Sequence, residues 1–385
     1  MKLKVTVYPS KPLLTIGELL KLVFKLLLPF PVYMVYNLVC MIPAAILSRM
    51  DVRYSFICAI AKTAFLVLGA KEIQKLVPPT RTAYETWIKA NARKPAYQGR
   101  LCHDVELLDT GRDSALLWLG NRHRAQKVVL YIHGGGYVIP MLPGHLDLCW
   151  NNYIAAGANE GVEVAVAMLQ YSLAPRGKMP TQLSQVVAGF NRLLSQGFGP
   201  QDVFVGGESG GGNLTMQFVG HLLRAHPEVP EVKLLQPLAA VIAISPGLGS
   251  NSETRSFQEN KYCDMITEDI VRGLAAEFLP DAETEKLDTI DNPWARPLDS
   301  DPCFYDRLAE VVREMYFMVG DRELLADHAR AMAALVKKQA PNVIVRLHET
   351  AGQPHSSILL EATIREVGES TRNMTSWFTG VIRRN

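Results

Sequence analysis

The chain has 385 residues, of which 48% are apolar and 20% charged, enough for one large domain with additions or for two modest ones. A net charge of +2, with no basic patch carrying interleaved aromatics, argues against a nucleic-acid partner. The six cysteines (Cys40, Cys58, Cys102, Cys149, Cys263, Cys303) include no Cys-x-x-Cys pair, which argues against a zinc site and against a disulfide-stapled mini-domain.

From Leu26 to Leu47 there are 22 residues without a charge, and about 20 apolar residues suffice to cross a bilayer as a helix. Pro29, Pro31 and Pro43 are better tolerated there than in a soluble helix. The leading expectation is a membrane anchor. The competing readings are an apolar cap helix over a lipophilic pocket and a cleaved signal, the last disfavoured because the stretch starts late and runs long. Lys2, Lys4, Lys11, Lys21 and Lys25 precede it, against Arg49, Arg53 and Lys62 after it, so a spanning helix would leave a lumenal body, as in a single-pass protein of the endoplasmic reticulum. A second apolar run, Ser55 to Ala70, is short and interrupted by Lys62, and reads as membrane-surface or cap material. The expected organisation is an anchor over 1–50, cap or linker helices over 51–110, and a main domain over 111–385.

From about residue 100 the pattern alternates. Ala115–Gly120, Lys127–Gly135, Val162–Tyr171, Asp202–Gly207, Leu238–Ser245, Met315–Gly320 and Asn342–Glu349 read as strands. Thr181–Gly197, Gly211–His226, Leu324–Ala340 and a closing stretch from Ser356 to Ile382 read as helices. Such alternation predicts an α/β fold, a mostly parallel sheet with helices on both faces. Thr254 to Asp306 reads as loops and short helices, an insertion beside a site.

Between one such strand and helix lies FVGGESGGGNLT, Phe204 to Thr215. It supplies neither G-x-G-x-x-G for a dinucleotide nor G-K-[ST] for a phosphate loop. It does supply G-x-S-x-G at Gly207-Glu208-Ser209-Gly210-Gly211, the pattern of a tight turn that lifts a serine hydroxyl above a sheet. A serine nucleophile needs a place for the negative charge it creates. His133-Gly134-Gly135-Gly136 ends an earlier strand, and the backbone N–H groups of Gly135 and Gly136, with that of Gly210, are candidates for a three-donor oxyanion hole.

The base and its orienting acid are then expected downstream, in the order serine, acid, histidine. His221, His226 and His328 fall in or beside helices and read as packing or surface residues. His355 sits in a loop between the last strand and the last helix, where an imidazole reaches a serine more readily than from His348 on the strand itself. Asp321 and Glu323 both satisfy the requirement for a carboxylate, and Asp327 reads as a solvated helix residue. The sequons at Asn213 and Asn373 are weak signals; Asn213, just behind the serine, is expected to be buried.

Taken together, H-G-G-G, G-E-S-G-G and Tyr171-Ser172-Leu173-Ala174-Pro175 resemble the hormone-sensitive-lipase branch of the α/β-hydrolases, over roughly Trp118 to Ser357. Closer still, LLWLG, YIHGGGYVIP and LAPRGKMPTQLSQ resemble fungal steryl-acetyl-hydrolase-type esterases. Glu323 to Asp327 aligns with the branch's D-x-L-x-D, which assigns the acid role to Glu323 and keeps Asp321 as the alternative. The departures are Glu for Asp at 323 and at 208, and Gly210 where the branch usually has alanine. The resemblance implies an α/β-hydrolase fold with an N-terminal helical cap. It implies acyl transfer to water by Ser209, Glu323 and His355 without metal or cofactor. The implied substrate is a small lipophilic ester, such as an acetylated sterol. An ester-cleaving or product-releasing step in fungal secondary metabolism uses the same scaffold, and so does a non-catalytic ligand-binding protein.

Overall fold

The computed structural model describes residues 11–110, 114–280 and 292–384. Its centre is an eight-stranded sheet formed by β1 (Val105–Leu107), β2 (Ala115–Leu119), β3 (Lys127–Ile132), β4 (Val164–Gln170), β5 (Val203–Glu208), β6 (Ala240–Ile244), β7 (Glu314–Gly320) and β8 (Ile344–Thr350). The strand order is β1-β2-β4-β3-β5-β6-β7-β8. The pairs β1–β2 and β2–β4 are antiparallel, and the ladder from β4 through β8 is parallel.

The parallel strands β3 to β7 are buried on both sides, which is why they read as largely apolar runs, whereas the edge strand β8 is partly exposed. Along β3, Val128, Leu130 and Ile132 enter one core while Val129 and Tyr131 enter the other. The helices follow as α1 (Ile16–Leu27), α2 (Pro29–Leu47), α3 (Val52–Val67), α4 (Ala70–Leu76), α5 (Thr80–Asn91), α6 (Pro143–Cys149), α7 (Ala156–Asn159), α8 (Thr181–Ser195), α9 (Gly210–Leu223), α10 (Arg255–Glu259) and α11 (Glu268–Phe278). Three more, Ala326–Gln339, Ser357–Thr363 and Glu369–Arg384, complete the described chain. The first core takes Leu183, Val186 and Phe190 of α8 with Leu214 and Phe218 of α9. The second takes Tyr84 and Trp87 of α5 with Phe378 and Val381 of the closing helix. At about 25 cal/mol per Å² of buried apolar surface, these two layers are the main stabilising contribution.

Two elements depart from the expectation. β1 is a three-residue edge strand, too short to carry a readable alternation. The closing stretch is two helices, interrupted where Arg365 takes a φ of 60°. Glu361 fixes the restart by accepting the N–H groups of Ser370 and Thr371, at 2.9 and 2.8 Å, at the head of the second helix.

At the N-terminus, a capping box starts α1: Glu18 donates its N–H to Thr15 Oγ1, and Thr15 donates its own to the Glu18 carboxylate. Leu28 breaks the α1–α2 run, and Pro29 opens α2 at its first helical position, where no intrahelical donor is lost. Ile16–Leu47 is long and apolar enough to cross a membrane. Yet α2 is not free-standing. It lies along α3, with Asn37, Met41 and Ala45 buried. Within α3, Lys62 is buried and donates to the carbonyls of Lys261 and Asp264 at 2.6 and 3.1 Å, which explains how a lysine sits inside an apolar run.

Candidate active site

Ser209 stands between β5 and α9 with φ 54° and ψ −119°, a strained conformation for a residue with a side chain. The flanking glycines make that turn possible. A Cβ on Gly211 would lie 2.1 Å from the Ile132 carbonyl oxygen, and one on Gly207 would lie 2.4 Å from the Gly211 carbonyl oxygen. No side chain fits at either. Gly210 is different, since its Cβ would meet Gly136 backbone atoms at 3.3 Å. That close approach brings the Gly210 end of α9 against the loop holding Gly135 (φ 95°) and Gly136 (φ 57°), so the three expected oxyanion donors share one neighbourhood.

His355 Nε2 lies 2.9 Å from Ser209 Oγ. Its Nδ1 faces Glu323 Oε1 at 4.0 Å, and neither atom has a hydrogen-bond partner among the described residues. The imidazole and carboxylate are thus aimed at each other across a gap that a movement of about 1 Å closes, a looseness common before substrate binds. Glu323 Oε2 is held by the Ser245 hydroxyl at 2.7 Å and the Gly320 N–H at 3.1 Å. Asp321 points elsewhere: it accepts the Gly352 N–H at 2.7 Å and braces the loop ahead of His355. His348 contacts Asn373 at 2.6 Å, and His328 and His221 hydrogen-bond to loop backbone. Asn213 is buried as expected, donating to the Gly247 and Ala295 carbonyls.

A profile of the alpha/beta hydrolase fold matches residues 129–359. The chain belongs to that family. The chain is 26% identical over 216 residues to an acetyl-hydrolase of Streptomyces hygroscopicus, covering 56% of this chain and 63% of that one. The chain therefore spans under two thirds of that relative's length. It is 25% identical over 269 residues to esterase LipU of Mycobacterium tuberculosis, covering 65% and 79% of the two chains. In fold it is similar to the crystal structure of an esterase from the bacterial hormone-sensitive lipase family, with a TM-score of 0.59 and 21% identity over 86% of this chain and 97% of that one.

In this α/β-hydrolase several residues around His355 were not legible in the sequence. Asp264, fully buried, accepts the N–H of Leu324 at 2.6 Å on one oxygen and those of Met265 and His355 at 2.6 and 3.3 Å on the other. One carboxylate therefore ties the loop of Glu323 to the loop of His355. Ser245 does the same by a second route, donating to Glu323 and accepting the Ser356 N–H at 3.0 Å. Glu208 binds the Ser356 hydroxyl and lies 3.2 Å from His145 Nε2; a Cβ on Gly134 would collide with it. No motif announces Asp264 or Ser245. The only available signal was that Asp264 falls in the segment read as an insertion beside a site.

The electrostatics follow from burial. Burial, then the Asp264 charge beside it, pushes the Glu323 carboxyl well above its usual range, with Ser245 and Gly320 only partly offsetting this. Burial also raises Asp264, against the pull of His355. For Glu208 burial is outweighed by His145, His355 and Ser356, and its carboxyl stays below the usual range. An imidazolium forming at His355 would thus meet three buried acidic groups. In front of Ser209 lies a cavity of about 150 Å³ with Phe257, Ile266, Val271, Leu274 and Phe278 on its walls. An apolar cavity of about this size accommodates a benzene-sized group. Tyr137 stacks on Phe278 at 3.8 Å and closes the wall beside Gly136. Among the described residues no cluster of histidine, cysteine and carboxylate side chains is suited to a metal.

Proposed function

We propose that this protein is a serine carboxylic-ester hydrolase that removes a short acyl group, acetyl foremost, from a lipophilic alcohol such as a sterol. The observation that carries the reading is the 2.9 Å contact of His355 Nε2 with a serine held at φ 54° in front of an apolar cavity. Ser209 attacks the ester carbonyl while His355 takes its proton and then protonates the leaving alcohol. Glu323 orients His355 and stabilises the imidazolium; the N–H groups of Gly135, Gly136 and Gly210 receive the oxyanion. Water then cleaves the acyl-enzyme with His355 as base. Similarity to an acetyl-hydrolase and an esterase supports ester chemistry. A cavity of about 150 Å³ supports a small acyl group. The sterol alcohol rests on the resemblance of the sequence to steryl-acetyl-hydrolase-type esterases. The apolar N-terminal helices attach the enzyme to a membrane, that of the endoplasmic reticulum first among candidates.

Ser209→Ala is expected to abolish hydrolysis of p-nitrophenyl acetate, by about 10⁴-fold or more, with an unchanged circular dichroism spectrum. Near-full activity in that variant would remove the assignment. Labelling by a fluorophosphonate probe separates an enzyme from a binding protein on the same scaffold, which would not react. Comparing steryl acetates with other natural-product esters separates the sterol reading from one in secondary metabolism.

A further inference from the structure

Of the twenty-five exposed large apolar side chains among the described residues, twenty lie between Leu13 and Leu76. The rest of the surface is almost clear of them, so this is a single concentrated feature and not scattered exposure. It belongs to α1, α2, α3 and α4 together. On α2 the exposed side carries Val32, Val35, Tyr36, Val39, Ile46 and Leu47. On α3, Val52, Phe56 and Ile60 recur every four residues and are exposed in the same way.

The opposite side of these helices is committed to the protein. The Asn37 amide donates to Thr63 Oγ1 at 2.9 Å, and Thr63 donates to the Ala59 carbonyl at 2.7 Å. Met41 packs with Tyr54, Cys58 and Leu360, the last from the helix that follows His355. Ala45 and Met50 pack on Cys263, one residue from Asp264. Lys25 pairs with Glu72 at 2.6 Å and fastens α1 to α4. To cross a bilayer alone, α2 would have to strip away from these contacts along its length, leaving Asn37 unpartnered in hydrocarbon.

We propose that α1–α4 form a membrane-docking face that lies in the plane of an anionic lipid bilayer, with α2 embedded along its length and not spanning. The residues at the edge fit a headgroup region. Lys21 and Lys71 are exposed, and Tyr33, Tyr36 and Tyr262 present phenols of the kind that settle between acyl chains and water. The face is also continuous with the site. A second cavity of about 290 Å³ is lined by Phe65, Leu66 and Leu68 of this layer and by Ile270 and Leu274 of α11. Leu66 is exposed on the docking side, and Leu274 is shared with the cavity before Ser209, lying against Gly136. Leu274 therefore forms part of the wall of both the cavity under this layer and the proposed acyl site, while Asp269 and Glu277 stand at the former's rim. A lipophilic ester would reach Ser209 from the bilayer without crossing water; this last step rests on the ester-hydrolase reading, whereas the docking does not.

The test uses the full-length chain with phosphatidylcholine vesicles, with and without phosphatidylserine. The wild-type chain is expected to sediment with both, more tightly with phosphatidylserine and less so as salt rises. Val39→Asp combined with Phe56→Asp is expected to weaken vesicle binding tenfold or more. Both side chains are exposed, so p-nitrophenyl acetate hydrolysis in detergent solution should stay at the wild-type rate, which shows that the variant is folded. In sealed microsomes, tags at the two termini should be digested by added protease together or protected together. Unchanged vesicle binding in the double variant overturns the proposal, as do termini on opposite sides of the membrane. Loss of self-association in the variant without any change in vesicle binding would assign the face to a second copy of this chain instead. Failure of Ser209→Ala to abolish hydrolysis would defeat the ester-hydrolase reading and leave the vesicle result standing.

Discussion

The two halves of the candidate site are built from different materials. On the nucleophile side, backbone packs on backbone: Gly207, Gly211 and the His133–Gly136 loop approach so closely that a single added carbon has no room. On the acid–base side, side chains from distant segments hold the loops. Asp264 and Ser245 each bridge the Glu323 and His355 loops, and Glu208 grips Ser356. Backbone contacts are set by short-range geometry and tolerate no substitution. Side-chain bridges are long-range and can be weakened in steps.

The largest test of that contrast lies within two adjacent residues. Gly211→Ala meets the Ile132 carbonyl at 2.1 Å and is expected to cost about 3 kcal/mol or more, read as loss of soluble folded protein. Gly210→Ala, at 3.3 Å from Gly136, should fold with a stability change under about 1 kcal/mol and keep hydrolysis within about tenfold of wild type. Equal behaviour of the two would break the argument from close approach.

On the acid–base side, Glu323→Gln is expected to lower kcat by about 10²–10⁴-fold. Asp321→Asn, at a carboxylate that accepts the Gly352 N–H and lies 3.6 Å from the Arg322 guanidinium, should lower it less than about tenfold. Kinetics of the pair with one soluble ester decides between the two acids; the reverse order would transfer the role to Asp321.

A smaller effect is expected at Asp264→Asn, which keeps the shape but removes the charge. Asp264 helps raise the Glu323 carboxyl, so its neutralisation lowers that pKa. The acid limb of kcat/KM, which needs ionised Glu323, should then move to lower pH, with a loss of roughly tenfold at the plateau. A merely structural bridge would leave the pH profile in place.

The smallest effect separates the halves by charge. His133, stacked on Tyr171 at 4.4 Å, is pushed down to about 3 by burial and then by neighbouring His145. Its neutral form is the folded one, so its contribution is full above the ordinary value of 6.5 and is lost as pH falls towards about 3. Each pH unit in that window costs at most about 1.4 kcal/mol. Glu323 and Asp264 act in the opposite sense: their folded pKa values are raised, so stability declines as pH rises through them. Denaturant midpoints of His133→Phe across this window should fall less steeply with acid than those of the wild type.

Much of this was legible in the residue order. The alternation from Ala115 onward gave the parallel sheet because doubly buried strands are apolar on both faces, as from Val128 to Ile132 in β3 and from Val164 to Leu169 in β4. Ser209 and His355 could be paired as candidates because one sits in a glycine turn after a strand and the other in a loop after the last strand, and the fold brings them to 2.9 Å. Glu323 and Asp321 could not be ranked from spacing alone, since only Arg322 separates them and only the direction of the loop tells them apart. The apolar N-terminus reads from composition as long enough to cross a membrane, and the structure keeps such a helix; what lies against it is not recorded in composition.

The sequence by itself determined the glycine framework of the Ser209 turn, the choice of Ser209 and His355 as candidates, and the presence of a lipophilic N-terminal layer. These are properties of local backbone geometry and composition. Tertiary structure alone decided that Asp264 and Ser245 join the acid and base loops, and that α2 has one face on the protein and one face bare. Both depend on segments scores or hundreds of residues apart, Asp264 with His355 and Met41 with Leu360, that meet only once the sheet and its helices have packed.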